Sequence, residues 1–438
     1  MVTTSAIRKV LPHLEFGYAV IALFALTQGP VYRLWSESAE SLVVSSRTSL
    51  AHVYFATFMA VQLPALVVVS RTFTVEMLRN RSIQALIALH LWLGCTVLWS
   101  TLARQSLPEF IALVFTTSFG VFLALRFRPL QFWWIVLLAM TIGLLLSVLA
   151  VYRVWDTARD LNDGFWIGIY YNRNSLAPVA GVALVAAMSV VVVGKRLTGS
   201  QRLANLIGAT FVGGFSVLIV VQAESRTTPI ALTLTVLILG LWQIYRALLR
   251  KWANGFLTKC GAATLAVGTV AICILVALRN FAKVSGLSGE TTTFNSRAGL
   301  WSQNWTGFLE KPLQGWGWMA ARQTKDFFQQ GIYWAAFPTE WSHNGYHDLL
   351  LGGGVVAGSL FVVSLALALG HFDRELSWSD SIANIGLVGF VLVAAIQESF
   401  FIGSHFMWAL LMGCLLRGAI VSANRPLINH EYARKSSP

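Results

Sequence analysis

Between Trp341 and Asp348 the chain reads Trp-Ser-His-Asn-Gly-Tyr-His-Asp, a polar run that leads straight into an apolar stretch beginning at Leu349. A histidine at the water-facing mouth of a transmembrane helix exchanges protons near neutral pH, which makes His343 a candidate base. Two isolated arginines, Arg226 and Arg297, stand at comparable predicted depth on the same side. A base beside two fixed cations points to chemistry on an anionic, phosphorylated lipid.

Each of these residues also has a plainer reading. Arg226 lies in Glu224-Ser225-Arg226-Thr227-Thr228-Pro229, where a helix-mouth arginine can snorkel or pair with Glu224. Against that, Pro229 near a helix start leaves free backbone N–H groups beside Arg226, a favourable setting for phosphate. Arg297 follows Asn295-Ser296 at the start of a predicted loop helix, where a cation is unfavourable unless something anionic binds there. His347 is one helical turn beyond His343 and can share its face, so it is a rival base, with Asn344 as a further substrate contact. Tyr171-Asn172-Arg173-Asn174-Ser175 offers Arg173 and Asn174 at the water boundary, either to substrate or as a capped helix start. Glu398 and His405 fall within or beside the last apolar runs and have no partner identifiable from sequence. Too few His and Asp ligands converge to argue a metal site. Cys95, Cys260, Cys273 and Cys414 lie in or beside apolar runs with no CxxC pair, and behave as small hydrophobes.

The elements that must position these residues follow from composition. The 438 residues are 56% hydrophobic and 12% charged, with mean hydropathy +0.65. A soluble chain carries about a quarter charged residues. Repeated apolar runs near the ~20 residues needed to cross a bilayer predict an all-α polytopic membrane protein. About twelve spans are expected, near 11–31, 48–70, 83–101, 108–125, 131–151, 174–194, 203–222, 227–246, 257–278, 344–370, 381–397 and 400–417. The first holds Glu15 and lacks a clear small-residue cleavage site, so it reads as a span rather than a signal.

With both termini inside, nineteen of the 32 Lys and Arg fall on cytoplasmic segments, seven on short outer segments and six in one long insertion. Long loops count little in the positive-inside rule, so the insertion at 279–342, between spans nine and ten, is predicted to face away from the cytoplasm. The formal charge of +13 is mostly this cytoplasmic excess, set against anionic membrane lipids. No basic patch interleaved with aromatics appears on a soluble domain, which argues against nucleic-acid binding.

The organisation is therefore one membrane domain, residues 1–438, with residues 279–342 inserted as an outer loop. That loop carries Trp301, Trp305, Trp316, Trp318, Trp334 and Trp341, too aromatic for a disordered linker and suited to a bilayer interface or a substrate lining. Residues 297–309 read as an amphipathic helix, and Lys311-Pro312-Leu313-Gln314-Gly315-Trp316-Gly317 as its stop and a turn. Gly352-Gly353-Gly354 with Ala357 and Gly358 reads as a site of close helix packing.

Taken in order, the outer segments Tyr171-Asn172-Arg173-Asn174-Ser175, Ser225-Arg226-Thr227, Ser296-Arg297-Ala298-Gly299-Leu300-Trp301, Pro312-Leu313-Gln314-Gly315-Trp316-Gly317 and Ser342-His343-Asn344-Gly345-Tyr346 resemble the O-antigen ligase and polymerase superfamily of bacterial envelope glycan enzymes. The resemblance covers roughly residues 165–365. It implies a glycosyltransferase of the inner membrane, with its active site facing the periplasm and no metal or other cofactor. The implied donor is a glycan on undecaprenyl diphosphate, and in O-antigen ligases the acceptor is a sugar of the lipid A core. By matching position, Arg226 and Arg297 would hold the diphosphate and His343 would serve the acceptor hydroxyl. The second histidine, His347, departs from the simplest pattern and leaves the base assignment open. A polymerase would take a second lipid-linked glycan as acceptor. A lipid-linked glycan transporter would also have about twelve spans, but should carry charges at mid-membrane depth along a pathway.

Overall fold

The computed structural model describes residues 4–29, 47–154, 158–160, 164–252, 292–321, 342–403 and 405–435. The predicted ninth span, 257–278, lies outside them, as do 279–291 and 322–341 of the insertion. The described chain forms α1 (Thr4–Leu26), α2 (Arg47–Thr72), α3 (Val75–Leu78), α4 (Arg81–Cys95), α5 (Ala103–Arg126), α6 (Pro129–Leu149), α7 (Arg173–Val193), α8 (Gly199–Ala223), α9 (Thr227–Trp252), α10 (Thr292–Glu310), α11 (Gly345–Arg374), α12 (Trp378–Ala394) and α13 (Phe406–Lys435). Nine helices among the described residues are long and apolar enough to cross a membrane, joined by the shorter apolar stretches Leu11–Leu26 and Trp378–Ala394. Each predicted span except 257–278 falls on one of these.

α7 is apolar on every face, and it sits at the centre, packed against α6, α8, α9 and α12. α13 is the second buried helix and lies along α5. Their crossing is tight because Gly120 and Gly413 face each other. A Cβ at Gly120 would overlap the Ala409 carbonyl, so small residues set this approach.

Through α9, and again from α11 to α13, successive long helices alternate in direction, which divides their connections between two ends. One end collects basic residues. Arg126 pairs with Glu15 at 2.8 Å, Arg246 with Asp373 at 2.6 Å, and Lys195 lies 5.3 Å over the Trp378 ring. Arg417 is buried there, donating to the Phe127 carbonyl at 3.4 Å and stacked 4.8 Å over Phe132. An apolar groove of about 250 Å³, bordered by Met188, Val192, Leu232, Val236 and Ile382, opens between α7, α9 and α12 in the half of the bundle nearer this end. The opposite end collects the turns before α7, α9 and α11, the connection 395–405 and α10.

The glycine run does more than pack two helices, although Gly353 does lie against Leu93 and Trp92 of α4. α11 is broken at Gly354, with φ 67° and ψ −168°. The break frees backbone groups that a membrane interior cannot hydrate. The turn after α10 supplies partners: Trp316 N–H donates to the Leu351 carbonyl at 2.7 Å and Gly317 N–H to Gly352 at 3.2 Å, while Val355 N–H donates to the Pro312 carbonyl at 2.8 Å. Trp92 Nε1 donates to the Gly353 carbonyl at 2.7 Å. A Cβ at Gly354 would overlap the Leu313 carbonyl. The glycines thus let a turn, as well as a helix, approach the backbone. This contact seats α10 and its loop on the bundle.

Candidate functional site

α11 begins at an extended Asn344, whose Oδ1 accepts from the N–H groups of Tyr346 at 3.0 Å and His347 at 3.1 Å. Asn344 is therefore an N-cap, and its side chain is taken up by the helix end. The next N–H, from Gly345, donates to the carbonyls of Ala395 at 2.8 Å and Glu398 at 3.1 Å. Tyr346 adds a bond from its hydroxyl to the Leu392 carbonyl at 2.8 Å. The mouth of α11 is thereby clamped to the connection that follows α12.

That clamp sets His343. It lies just before the cap with φ 46°, a left-handed conformation that few side chains adopt. Its Nδ1 is 3.1 Å from Glu398 Oε2. The other oxygen, Oε1, accepts from Arg297 Nη2 at 2.7 Å. One carboxylate therefore holds a histidine from α11 and an arginine from α10. The group stays in touch with solvent: side-chain exposure is 31% for His343, 15% for Arg297 and 11% for Glu398.

Arg297 lies inside α10, five residues past Thr292, and not at its first turn. The anion it meets there is Glu398. This corrects the expectation of a cation at a helix start.

The arginine turn reaches the same connection. Thr227 Oγ1 donates to Gln397 Oε1 at 2.8 Å, next to Glu398. Arg226 is exposed in the turn one residue earlier. Ser225 Oγ donates to Asn174 Oδ1 at 3.1 Å, tying this turn to the start of α7. There the cap is Asn172, which accepts from Ser175 N–H at 2.9 Å, so Asn174 is left to make the cross-link. Arg173 lies 5.0 Å over the Phe165 ring.

His347 points elsewhere. Its Nδ1 is 3.4 Å from Asn304 Nδ2, and its ring meets Trp301 edge-on with centroids 6.1 Å apart. It packs α11 against α10 and does not share the Glu398 contact. His405 caps α13, its Nδ1 accepting from Met407 N–H at 3.2 Å, between the rings of Phe400 and Phe406. Among the described residues no cluster of three or more His, Cys, Asp and Glu is placed to hold a metal ion.

Residues 211–362 match the family model for O-antigen ligase. Over that segment the chain is similar to the O-antigen ligase family. No curated protein matches the chain. The O-antigen ligase match runs from α8 into α11 and contains Arg226, Arg297, His343, Asn344, His347 and the broken glycine run. Asn174, Gln397 and Glu398, which tie those residues together, lie outside it. A family of glycan-transferring membrane enzymes is thus represented in the segment that carries the arginines and the histidine.

Glu398 is the residue that sequence reasoning noticed without giving it a partner. A signal was present: Gln397-Glu398-Ser399 interrupts two apolar runs with three polar side chains. Nothing in the linear order joins that trio to Arg297, 101 positions earlier.

Proposed function

We propose that this protein is an O-antigen ligase, moving a glycan from undecaprenyl diphosphate to a sugar of the lipid A core on the periplasmic face of the inner membrane. The observation that carries the reading is the convergence of His343 and Arg297 on Glu398, with the Arg226 turn anchored to the adjacent Gln397. The family match supports the reaction class.

The chemistry follows from residue types. Displacing a diphosphate from an anomeric carbon builds negative charge on the leaving oxygen. Arginine binds phosphate oxygens through a planar fork and keeps its charge, so Arg226 and Arg297 suit that oxygen better than lysine would. Well-placed electrostatic donors are worth about 3–4 kcal/mol each. The acceptor hydroxyl attacks the anomeric carbon, its proton passes to His343, and the carbon–diphosphate bond breaks with its electron pair on the leaving group. A single displacement of this kind inverts the anomeric centre. Arg173 and Asn174 border the site at the start of α7, and Asn344 shapes it as a cap. The cations sit at one end of the bundle, which favours transfer chemistry over a charge-lined transport path.

Purified protein given a lipid-linked glycan and two rival acceptors tests the reading. A ligase elongates lipid A core. Exclusive lengthening of the lipid-linked glycan would make the protein a polymerase, and transfer to neither would end the enzymatic reading.

A further inference from the structure

Glu398 touches neither donor nor acceptor in the reaction just described, yet it is the hub of the site. A carboxylate can only accept, so the 3.1 Å contact requires His343 Nδ1 to carry the proton. In the neutral ring Nε2 is then the unprotonated nitrogen, available to take a proton. The same contact holds His343 in its left-handed conformation, together with the Gly345 N–H bond to the Glu398 carbonyl.

The second partner sets a competition. Arg297 gives one N–H to Glu398 at 2.7 Å. A diphosphate arriving at that guanidinium must share it with a carboxylate of the same sign of charge. Removing the carboxylate therefore has opposite effects on the two functions. It frees Arg297 for the donor and deprives His343 of its orienting acceptor.

We infer that Glu398 is a positioning residue that fixes the tautomer and direction of His343 while moderating the hold of Arg297 on the donor diphosphate. This rests on the glycosyltransferase reading above. Other charged or titratable groups near His343 are Arg297 on α10 and His347 and Asp348 on α11, and Arg226 stands on the turn that Thr227 ties to Gln397.

The test uses full-length protein in lipid nanodiscs and two readouts besides thermal stability: the dissociation constant of farnesyl diphosphate, and turnover of a lipid-linked glycan. Glu398→Leu, which has no acceptor, should bind farnesyl diphosphate several-fold more tightly while turnover falls by on the order of 10²–10⁴, the range of a lost general base. In a His343→Ala background the same change should cost no further turnover, because its effect runs through the histidine. Glu398→Asp keeps the charge and shortens the reach, and should show the turnover defect in milder form with unchanged donor affinity. Turnover of Glu398→Leu within a few-fold of wild type would overturn the inference. So would a fall in turnover and donor affinity in step with the loss of folded protein in both variants. Failure of the underlying reading looks different: Arg297→Ala would then leave farnesyl diphosphate binding unchanged, whatever Glu398 does.

Discussion

Thr227 gives its hydroxyl hydrogen to Gln397 across 2.8 Å, and that bond joins the arginine turn at the mouth of α9 to the connection after α12 that also holds Arg297 through Glu398. Two arginines separated by 71 positions in the chain are thus referred to one short segment. Lysine at either position keeps the charge and loses the fork. Arg226→Lys and Arg297→Lys should each lower kcat/KM by at least about tenfold, short of the 10²–10³ typical of deleting a transition-state donor. Lysine at 297 can still satisfy Glu398, so expression and melting temperature should hold. Near-wild-type turnover in both lysine variants would remove the diphosphate role.

The two histidines separate by direction. His343 faces Glu398, while His347 lies against Trp301 and Asn304 of α10. His343→Ala should cut transfer by on the order of 10²–10⁴ with folding and donor-lipid binding intact. His347→Ala should instead destabilise the fold by about 1–2 kcal/mol through lost packing and hydrogen bonding, seen as a lower melting temperature, with turnover per folded molecule largely retained. If His347→Ala loses transfer and His343→Ala keeps it, the base moves one turn along α11. If both stay active, histidine is not the base.

What was legible from sequence divides along the same physical lines. Hydropathy located the helices because a span must be apolar for about twenty residues wherever it packs. Arg226, Arg297 and His343 stood out because polar residues at helix mouths are sparse in such a chain. Their convergence did not, because it depends on which helix ends meet, and periodicity carries no information about that. Glu398 shows this most clearly: its position was visible, and its two partners come from helices whose order in space is set by tertiary packing. The glycine run was legible only in part, for a related reason. Small residues permit any close approach, and sequence alone cannot say whether the visitor is a helix or the turn at Pro312–Gly317.

That turn makes a sharp stability contrast. Gly354 has φ 67°, and a Cβ there would overlap the Leu313 carbonyl; Gly370, in the same helix, has open space around its Cβ position. Gly354→Ala should cost roughly 1–3 kcal/mol for the backbone conformation alone, with the steric overlap in addition. Gly370→Ala should be neutral or stabilising by up to about 1 kcal/mol, since alanine is the better helix former. Thermal unfolding in detergent compares them. Equal stability of the two variants would mean that the break in α11 is not maintained by Gly354.

Orientation is the remaining premise, and it rests on charge. The connections at one end of the bundle carry Arg126, Arg128, Lys195, Arg196 and Arg374, while the site lies at the other end beside Gln314. Basic short loops are retained in the cytoplasm, so the proposal puts the site on the periplasmic side. Gln314 and Ser200 are both exposed and lie at opposite ends, so each can report its side without disturbing the core. The native Cys95 is exposed, so both variants are made in a background where it is replaced by serine. In cells with a permeabilised outer membrane, Gln314→Cys should react with a membrane-impermeant maleimide, and Ser200→Cys should react only after the inner membrane is lysed. The reverse pattern would turn the protein over in the bilayer. Arg226, Arg297 and His343 would then face the cytoplasm, where lipid A core and a periplasmic glycan donor could not meet them, and the ligase proposal would fall with the topology.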